Sequence, residues 1–209
     1  MRLHKGKSFL APPRLFKSDK SLYFPNFHGQ TLTKDKKITD TTPVLEGKVS
    51  VVSIFSSAWA QNQADTFVSE QNNAELNQVI QRSGDAAQVI RINIEENRLK
   101  AAIVRFFMGG LRKKFGVDNW GRYFLVVSGV TDDMRDTIGL LNSKVGYTYL
   151  LDGQCRIRWA GSGRAEGDEK ESLVKGVRRL LEERKQKAAA PTQKIESQKA
   201  ETQKAQAAA

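Results

Sequence analysis

The sequence predicts an α/β fold in which helices cover both faces of one central sheet. Three observations support this prediction. Residues 49–55 form an apolar run typical of a strand buried on both faces. Two further apolar runs flank Asp152-Gly153, which predicts a hairpin. Amphipathic segments with helical spacing lie between and after these strands. At 209 residues and 39% hydrophobic content, the chain has room for one domain with a real core.

The first predicted elements alternate between strand and helix. Val49–Phe55 is the first strand, and a helix is predicted from about Asn62 to Arg82, weakened in its middle by Gln71-Asn72-Asn73. Ser83-Gly84-Asp85 has the composition of a turn. Gln88–Ile94 alternates well enough for the second strand. These elements predict a βαβ unit with parallel strands.

The next segment, from Asn97 to about Arg112, has apolar residues at helical spacing. The predicted apolar stripe consists of Leu99, Ala102, Ile103, Phe106, Phe107, Gly110 and Leu111. Basic residues lie off this stripe. Two interpretations are open: a core helix with a basic end, or a surface that binds an apolar partner segment or a membrane interface.

The second half completes the sheet and covers it. Tyr123–Val130 is predicted as a strand and Asp132–Leu141 as a short helix. Gly146–Leu151 and Cys155–Trp159 form the hairpin, and a helix follows from about Asp168 to Lys185. A βαβ unit followed by a hairpin and a covering helix is the plan of thioredoxin-like proteins, peroxiredoxins included. The predicted fold is therefore thioredoxin-like, with helices on both faces of the sheet.

Thiol chemistry is not expected on this scaffold. A thioredoxin-type enzyme places a cysteine at the start of the first helix, where the helix end lowers the thiol pKa. Ser56-Ser57-Ala58 occupies that turn, and no proline lies between Pro43 and Pro191 to supply the usual cis-proline. Cys155 comes about a hundred residues later, on the hairpin, and is interpreted as a small half-buried apolar residue. The prediction is a binding protein and not an enzyme.

Metal and nucleotide chemistry are also not expected. The single cysteine excludes an internal disulfide and a cysteine-rich metal cage. His4 and His28 both precede the predicted core, which disfavours a histidine-based metal site. Neither a phosphate-binding loop pattern nor a dinucleotide fingerprint is present. No catalytic residue, metal or cofactor is predicted.

Both ends of the chain differ in composition from the middle. Of the net charge of +11, residues 1–22 carry +5 and residues 185–209 carry +3. Residues 1–22 are predicted to be a basic arm or the remnant of a mitochondrial presequence, residues 23–186 the domain, and residues 187–209 a low-complexity tail, disordered or transiently helical. The basic ends are either solvated or in contact with an anionic surface. No apolar run is long enough to cross a bilayer.

Two surfaces are candidates for partner binding. The first lies at the end of the 97–112 helix: Phe106, Phe107, Met108, Arg112 and Lys113. The second lies on the last strand of the hairpin: Arg156, Arg158 and Trp159. Strand alternation puts the two arginines on one face and Trp159 with Ile157 on the other. The arginines are then either solvated on an edge hairpin or bound to an acidic partner or lipid head group.

Four segments of the sequence carry a family resemblance. They are Tyr23-Phe24-Pro25-Asn26-Phe27, Val51–Phe55 leading into Ala58-Trp59, Val145-Gly146-Tyr147-Thr148-Tyr149-Leu150-Leu151-Asp152, and Arg156-Ile157-Arg158-Trp159-Ala160-Gly161-Ser162-Gly163-Arg164-Ala165. On these segments the chain resembles the mitochondrial ATP synthase assembly factors of the fungal type over roughly residues 22–184.

The resemblance implies a non-catalytic chaperone, peripheral on the matrix side of the mitochondrial inner membrane. Its implied partner is subunit a (subunit 6) of the Fo sector before that subunit joins the c-ring, with peripheral contact to inner-membrane lipid and no specific nucleic acid. Two alternatives of other classes stay open at this point. One is a thiol-dependent peroxidase or reductase that uses Cys155, and the other is a basic module associated with ribosomes or RNA.

Overall fold

A computed structural model describes the backbone of residues 7–207 and the side chains of residues 7–188. Its described residues form one sheet with the order β2-β1-β5-β4-β3-β6-β7. The strands are β1 (His28–Thr31), β2 (Ile38–Asp40), β3 (Val49–Phe55), β4 (Ala87–Ile94), β5 (Tyr123–Val126), β6 (Tyr147–Leu151) and β7 (Ile157–Ser162). The helices are α1 (Thr42–Leu45), α2 (Ala58–Val68), α3 (Ala74–Arg82), α4 (Arg98–Phe106), α5 (Met108–Phe115), α6 (Asp132–Ile138) and α7 (Glu169–Ala207).

The centre of the sheet is the predicted βαβ unit joined to the predicted hairpin. Strand β3 is parallel to β4, and β4 is parallel to β5. Strand β6 runs antiparallel to β3 on its other side, and β7 is antiparallel to β6. Every residue of β3 is buried, as the continuous apolar run predicts. The α/β fold is therefore confirmed, and the predicted strands at 49–55 and 88–94 are correct to within one residue.

Helices cover both faces of this sheet, as predicted. On one face, α2, α3 and α7 contribute Phe67, Val68, Leu76, Leu173, Val174, Val177 and Leu180 to a buried cluster. On the other face, α1 and α6 contribute Leu45 and Ile138 to a second cluster. Helix α7 continues past residue 186 without interruption, and the domain limit at that residue stays a prediction. None of the described helices combines the length and apolar content that crossing a membrane requires.

The predicted helix from Asn62 to Arg82 is wrong in two respects. It starts at Ala58, because the Ser57 hydroxyl caps it by accepting a hydrogen bond from the Ala60 amide at 3.1 Å. It is also two helices and not one. The Asn73 side-chain oxygen accepts from the Leu76 amide, and its side-chain nitrogen donates to the Phe67 carbonyl, so this side chain ends one helix and starts the next.

Other bounds also differ from the prediction. Strand β5 ends at Val126, and α6 ends at Ile138 and is followed by Gly139 in the left-handed conformation, so both elements are shorter than expected. In the hairpin turn, the residue with positive φ is Cys155, at 59°, and not Asp152 or Gly153. The carboxylate of Asp152 organises this turn by accepting from the backbone amides of Gln154 and Arg156. The hairpin β1–β2 and the short α1 were not predicted.

The described part of the predicted N-terminal arm is not free. Residues 7–24, here called the strap, lie along β7, which is the edge strand of the sheet. The Ile157 amide donates to the Leu22 carbonyl at 2.8 Å, and Lys7 forms an ion pair with Glu169 at 2.7 Å with only 1% of its side chain exposed. An edge strand has unpaired backbone groups, and the strap satisfies several of those on β7. The sequence left solvation and contact with an anionic surface open for this basic segment, and it did not predict packing against the domain itself.

Candidate partner-binding site

Both serine hydroxyls in the turn between β3 and α2 form hydrogen bonds within the domain. Ser57 caps α2, as described above, and the Ser56 hydroxyl donates to the Ser143 carbonyl. Trp59, in the first turn of α2, exposes 58% of its side chain. This turn is where a thioredoxin-type enzyme would hold its attacking thiol, and here it provides only a helix cap and an exposed indole.

The chain segment just before β6 packs against the backbone of α2 and leaves no room there for a side chain. Gly146, just before β6, donates its amide to the Gln63 side-chain oxygen at 2.9 Å. A Cβ added at Gly146 would lie 2.2 Å from the Ala60 carbonyl oxygen and 3.0 Å from the Ala64 nitrogen. Helix α2 therefore packs directly against the main chain at Gly146, which only glycine allows.

Cys155 lies at the opposite end of the sheet from this turn. Ser50 of β3 is paired with Leu151 and Ile54 with Tyr147, so the β6–β7 turn is next to the start of β3, while Ser57 follows its end. The seven residues of β3 separate the two positions by about 20 Å. Burial raises the pKa of the Cys155 thiol to about 11, with a further contribution from the negative charges of Glu46 and Asp152. The thiol is therefore almost entirely protonated at neutral pH.

We expect Cys155 to react slowly with iodoacetamide at pH 7. A rise in pKa from 9.0 to about 11 lowers the thiolate fraction roughly a hundredfold, and burial of the side chain slows the reaction further. The measurement is the alkylation rate of the folded protein from pH 7 to 11, and the urea-unfolded protein is the control. Equal rates in the two states at pH 7, or peroxide consumption that Cys155→Ser abolishes, would contradict this structure.

The segment from Arg98 to Phe115 is two helices that meet at Phe107. It carries two apolar stripes, both at helical spacing. One stripe packs against the domain, and its members are Ala101, Val104, Met108, Leu111 and Phe115. The other faces outward, and its members are Leu99, Ile103, Phe106 and Phe107. This outward set is here called the apolar face.

The apolar face is strongly exposed. Phe106 exposes 83% of its side chain, Leu99 79% and Phe107 60%. The rings of Phe106 and Phe107 pack edge to face with centroids 5.3 Å apart, so they form one continuous aromatic surface. Contiguous exposed apolar side chains of this size mark interaction surfaces more often than isolated ones do. The structure therefore places these side chains on the surface and not in the core, whereas binding of a partner or a membrane by them stays a prediction.

The helices that carry the apolar face are rich in basic residues. Residues 97–117 contain six lysines and arginines and no acid. Two of the arginines are partly engaged: Arg112 donates to the Leu32 and Thr33 carbonyls, and Arg105 donates to the Gln30 side chain. Lys113 is exposed. The surface therefore combines apolar contact area with positive charge.

A groove of about 300 Å³ adjoins the apolar face. It lies between the start of α2 and the α4–α5 segment, with Phe55, Ser57, Asn93 and Tyr123 on the α2 and sheet side and Ile103, Phe107 and Leu111 on the other. Burial raises the pKa of Tyr123, whose hydroxyl accepts a hydrogen bond from Asn93 at 3.0 Å. The phenol therefore stays neutral. The exposed lining of the groove is mainly apolar, although the charged Glu95 and Lys100 are also among its lining residues.

One residue of the first predicted surface is not accessible. Met108 is 3% exposed and packs in the cluster with Phe55 and Tyr123, because it belongs to the inward stripe. Its assignment as a contact side chain is corrected to a core role. Phe106, Phe107 and Lys113 remain on the surface. The sequence did not identify Leu99 and Ile103 as contact residues, since the presence of a second apolar stripe was not recognised.

The second predicted surface is internal. Trp159 is fully buried, and its indole nitrogen donates to the Pro12 carbonyl and to Ser172. Arg158 is 5% exposed and forms ion pairs with Asp152 and Glu183, while Arg156 pairs with Asp152 at 2.9 Å. The strap and α7 therefore cover these residues. Their assignment as partner contacts is corrected to a structural role.

A β-bulge in β7 explains why the predicted alternation of side-chain orientation along residues 156–159 is wrong. Leu150 pairs with Trp159, but Leu151 pairs with Ile157, so Arg158 has no partner on β6. Ile157 and Trp159 consequently pack in different clusters, on opposite faces of the sheet. The prediction that they share a face is wrong.

Comparison with solved structures defines the fold class. A secreted thiol-disulfide isomerase from Corynebacterium glutamicum aligns with a TM-score of 0.53 and 13% identity, over 87% of this chain and 98% of that one. A DsbF homologue from Corynebacterium diphtheriae aligns with a TM-score of 0.50 and 17% identity, over 84% and 94%. At these identities the likeness is one of fold alone. The protein has a thioredoxin-like fold, as predicted, with no cysteine at the β3–α2 turn.

Sequence comparison then gives the family. A profile described as "ATP10 protein" matches residues 1–180. Mitochondrial ATPase complex subunit ATP10 of Candida glabrata is 31% identical over 185 residues, and that of Saccharomyces cerevisiae is 32% identical over 189 residues. These alignments cover 88% and 84% of this chain and 66% of each relative's length. The chain belongs to the ATP10 family, which confirms the resemblance seen in the sequence.

Proposed function

We propose that this protein is a non-catalytic chaperone for the assembly of the mitochondrial ATP synthase. Its client is membrane subunit a (subunit 6) of the Fo sector, held until that subunit joins the c-ring. Two relatives are named as subunits of the mitochondrial ATPase complex, which supports the choice of complex. The observation that supports a role in client binding is the exposed apolar face, which lies near the β3–α2 turn that has no cysteine.

Client binding on this surface would bury side chains that water now solvates. The apolar face supplies the contact area, and the adjoining groove gives one client side chain a recess to enter. Interfaces that bury on the order of 800 Å² per partner give affinities that allow both capture and release. Exposed Lys113 and the partly exposed Arg112 would contact carboxylates or the rim of the client.

The proposed location is the matrix side of the mitochondrial inner membrane, as a peripheral protein. The family resemblance supports this location, and the net charge of +11 fits attraction to anionic lipid. Contact with the c-ring during hand-over belongs to the same proposal. The burial and raised pKa of Cys155 argue against the thiol-based alternative.

We expect Phe106→Asp and Phe107→Asp each to weaken capture of subunit a by about thirtyfold or more. A charge in the middle of an apolar contact removes a hot-spot side chain and leaves a carboxylate to be desolvated. The measurement is the amount of subunit a crosslinked to the full chain in isolated mitochondria. Both side chains are exposed, so the domain itself is expected to stay folded, as circular dichroism would check.

Ile38→Asp is the matched control. Ile38 is 70% exposed on β2, at the edge of the sheet, and lies outside both the apolar face and the groove. This variant is expected to capture subunit a like the unmodified protein. If the two phenylalanine variants capture as well as Ile38→Asp does, the apolar face is not the client site.

A further inference from the structure

A second groove lies on the other side of the molecule. It is bounded by the strap and by α6, and its volume is about 700 Å³. Its principal apolar lining residues are Phe9, Phe16, Leu22, Ile138, Tyr149 and Ile157. This strap groove is separate from the apolar face, since the strap follows the β7 edge whereas α5 packs on Tyr123 and Leu125 of β5.

The strap groove exists because only a short helix and an irregular chain segment cover this corner of the sheet. Helix α6 has seven residues, and the strap has no regular secondary structure over most of its length. Three large apolar side chains of the strap, Leu10, Phe16 and Leu22, each expose 40% or more of their area around the groove. Apolar area left in water on this scale favours an apolar occupant.

The floor of the strap groove offers nothing for a polar occupant to bind. The Tyr149 hydroxyl already donates to the Ile138 carbonyl at 2.8 Å, and burial raises the pKa of this phenol well above its ordinary value. Ile157 and Ala160, the other floor residues, are apolar. An aliphatic chain therefore fits the floor better than a polar ligand or a charged side chain.

The mouth of the groove is positively charged. Lys17 and Lys20 line it, both are exposed, and neither forms an ion pair with any residue whose side chain is described. Asp136 is the acidic residue among the lining residues. A ligand with an aliphatic chain and an anionic head group matches this arrangement of an apolar floor and two ammonium groups.

We propose that the strap groove binds an anionic phospholipid of the bilayer, with one acyl chain on the apolar floor and the phosphate at Lys17 and Lys20. Such a contact would attach the protein to a membrane through a single lipid and leave the apolar face free for a client. The site is formed by this chain's own residues and does not depend on the proposed client.

The direct test is titration of the full chain with water-soluble short-chain lipids, each below its micelle concentration. Dihexanoyl-phosphatidylglycerol is expected to bind about tenfold more tightly than dihexanoyl-phosphatidylcholine, since only the first has a net negative head group. It is also expected to bind roughly tenfold more tightly than dibutanoyl-phosphatidylglycerol, because two further methylenes of the bound chain are buried. Glycerol phosphate, which has no acyl chain, is expected not to bind measurably.

Variants locate the site. Leu22→Asp and the double variant Lys17→Glu/Lys20→Glu are expected to lower the affinity for dihexanoyl-phosphatidylglycerol at least tenfold. Ile38→Asp and Lys34→Glu/Lys37→Glu, which change exposed residues of the same types far from the groove, are expected to leave it unchanged. All these side chains are exposed, so loss of binding would not result from unfolding of the domain, and circular dichroism would check this.

Three outcomes would overturn the proposal. Equal binding of the two head groups excludes the lysine contact, and equal binding of both chain lengths excludes the acyl chain from the floor. Binding to phosphatidylglycerol vesicles that Phe106→Asp abolishes and Leu22→Asp leaves intact assigns lipid contact to the apolar face. That last result would also count against the client site, whereas failure of the strap groove alone would leave the proposed function standing.

Discussion

Gly146→Ala is expected to destabilise the domain by about 3 kcal/mol, a large part of the stability of an ordinary domain. The new methyl group would lie 2.2 Å from the Ala60 carbonyl oxygen and 3.0 Å from the Ala64 nitrogen. Both are backbone atoms of α2, so no side-chain rotation relieves the clash and the helix itself must move. The measurement is the free energy of unfolding from urea titration, followed by far-UV circular dichroism.

The same chemical change in another place gives a matched control. Gly109 lies in α5, and a Cβ added there meets no atom within 4 Å. Gly109→Ala is therefore expected to stabilise the protein by about 0.5–1 kcal/mol, because alanine loses less conformational entropy than glycine in a helix. If Gly146→Ala unfolds at the same urea concentration as the unmodified protein, α2 does not approach the β6 segment as closely as described.

A movement of α2 would also change the groove beside the apolar face. Phe55, Ser57 and Gln61 line this groove, and two of these three residues belong to α2 or its cap. Gly146→Ala is therefore expected to weaken client capture even in the fraction that remains folded. Close packing at Gly146 thus connects the stability of the fold to the geometry of the proposed site.

Arg158→Met is expected to destabilise the domain by about 3 kcal/mol. Its guanidinium group pairs with Asp152 at 3.3 Å and with Glu183 at 3.1 Å, and its Nε donates to the Phe16 carbonyl at 2.9 Å. One buried side chain thus ties the β6–β7 turn, α7 and the strap together. Methionine fills similar volume but leaves these acceptors without their donor. The free energy of unfolding is again the measurement.

Arg178→Met provides the control for Arg158→Met. Arg178 pairs with Glu75 at 2.8 Å, but both side chains are more than half exposed. Exposed pairs of this kind contribute about 0–1 kcal/mol, so this variant is expected to unfold almost like the unmodified protein. Equal effects of the two variants would show that the Arg158 network is not a buried one.

The pH dependence of stability should also distinguish these two variants. Burial alone would raise the pKa of Glu183, but hydrogen bonds and charges from Arg158 and Arg179 outweigh burial and lower it. Glu183 therefore contributes stability above its unfolded pKa of about 4.5, and this contribution disappears as the pH falls through the lower, folded value. Arg158→Met should reduce this acid-sensitive contribution, whereas Arg178→Met should not.

Much of the central fold could be predicted from the sequence. The strand Val49–Phe55, the second strand and the inward stripe of α7 were correct, because fully buried strands and amphipathic helices leave clear hydrophobic patterns. The sequence marked Gln71-Asn72-Asn73 as a weak point within one helix, but it did not predict the break at Asn73 or the strands β1 and β2. They depend on single side-chain hydrogen bonds and on pairing with a distant strand, which leave weak local patterns.

The strap and β7 show why contact residues are harder to predict than elements. A basic segment with two prolines is typical of a free arm, yet its backbone pairs with β7 because that edge strand needs hydrogen-bond partners. The bulge at Arg158 then turns this arginine towards Asp152 and Glu183. Neither effect depends on local sequence, so the predicted surface at Arg156, Arg158 and Trp159 proved to be internal.

The sequence by itself determined that this thioredoxin-like protein has no cysteine at the β3–α2 turn, because that depends only on which residues are present. It also predicted a helix from Asn97 to about Arg112, where the structure has α4 and α5 with a break at Phe107. Only the tertiary structure decided which side of those helices faces water. Two apolar stripes have the same helical spacing, so either could pack in the core. The stripe with the smaller Ala101 and the flexible Met108 packs against Phe55 and Tyr123. The bulkier stripe with Phe106 and Phe107 is left exposed, and that choice produces the proposed client site.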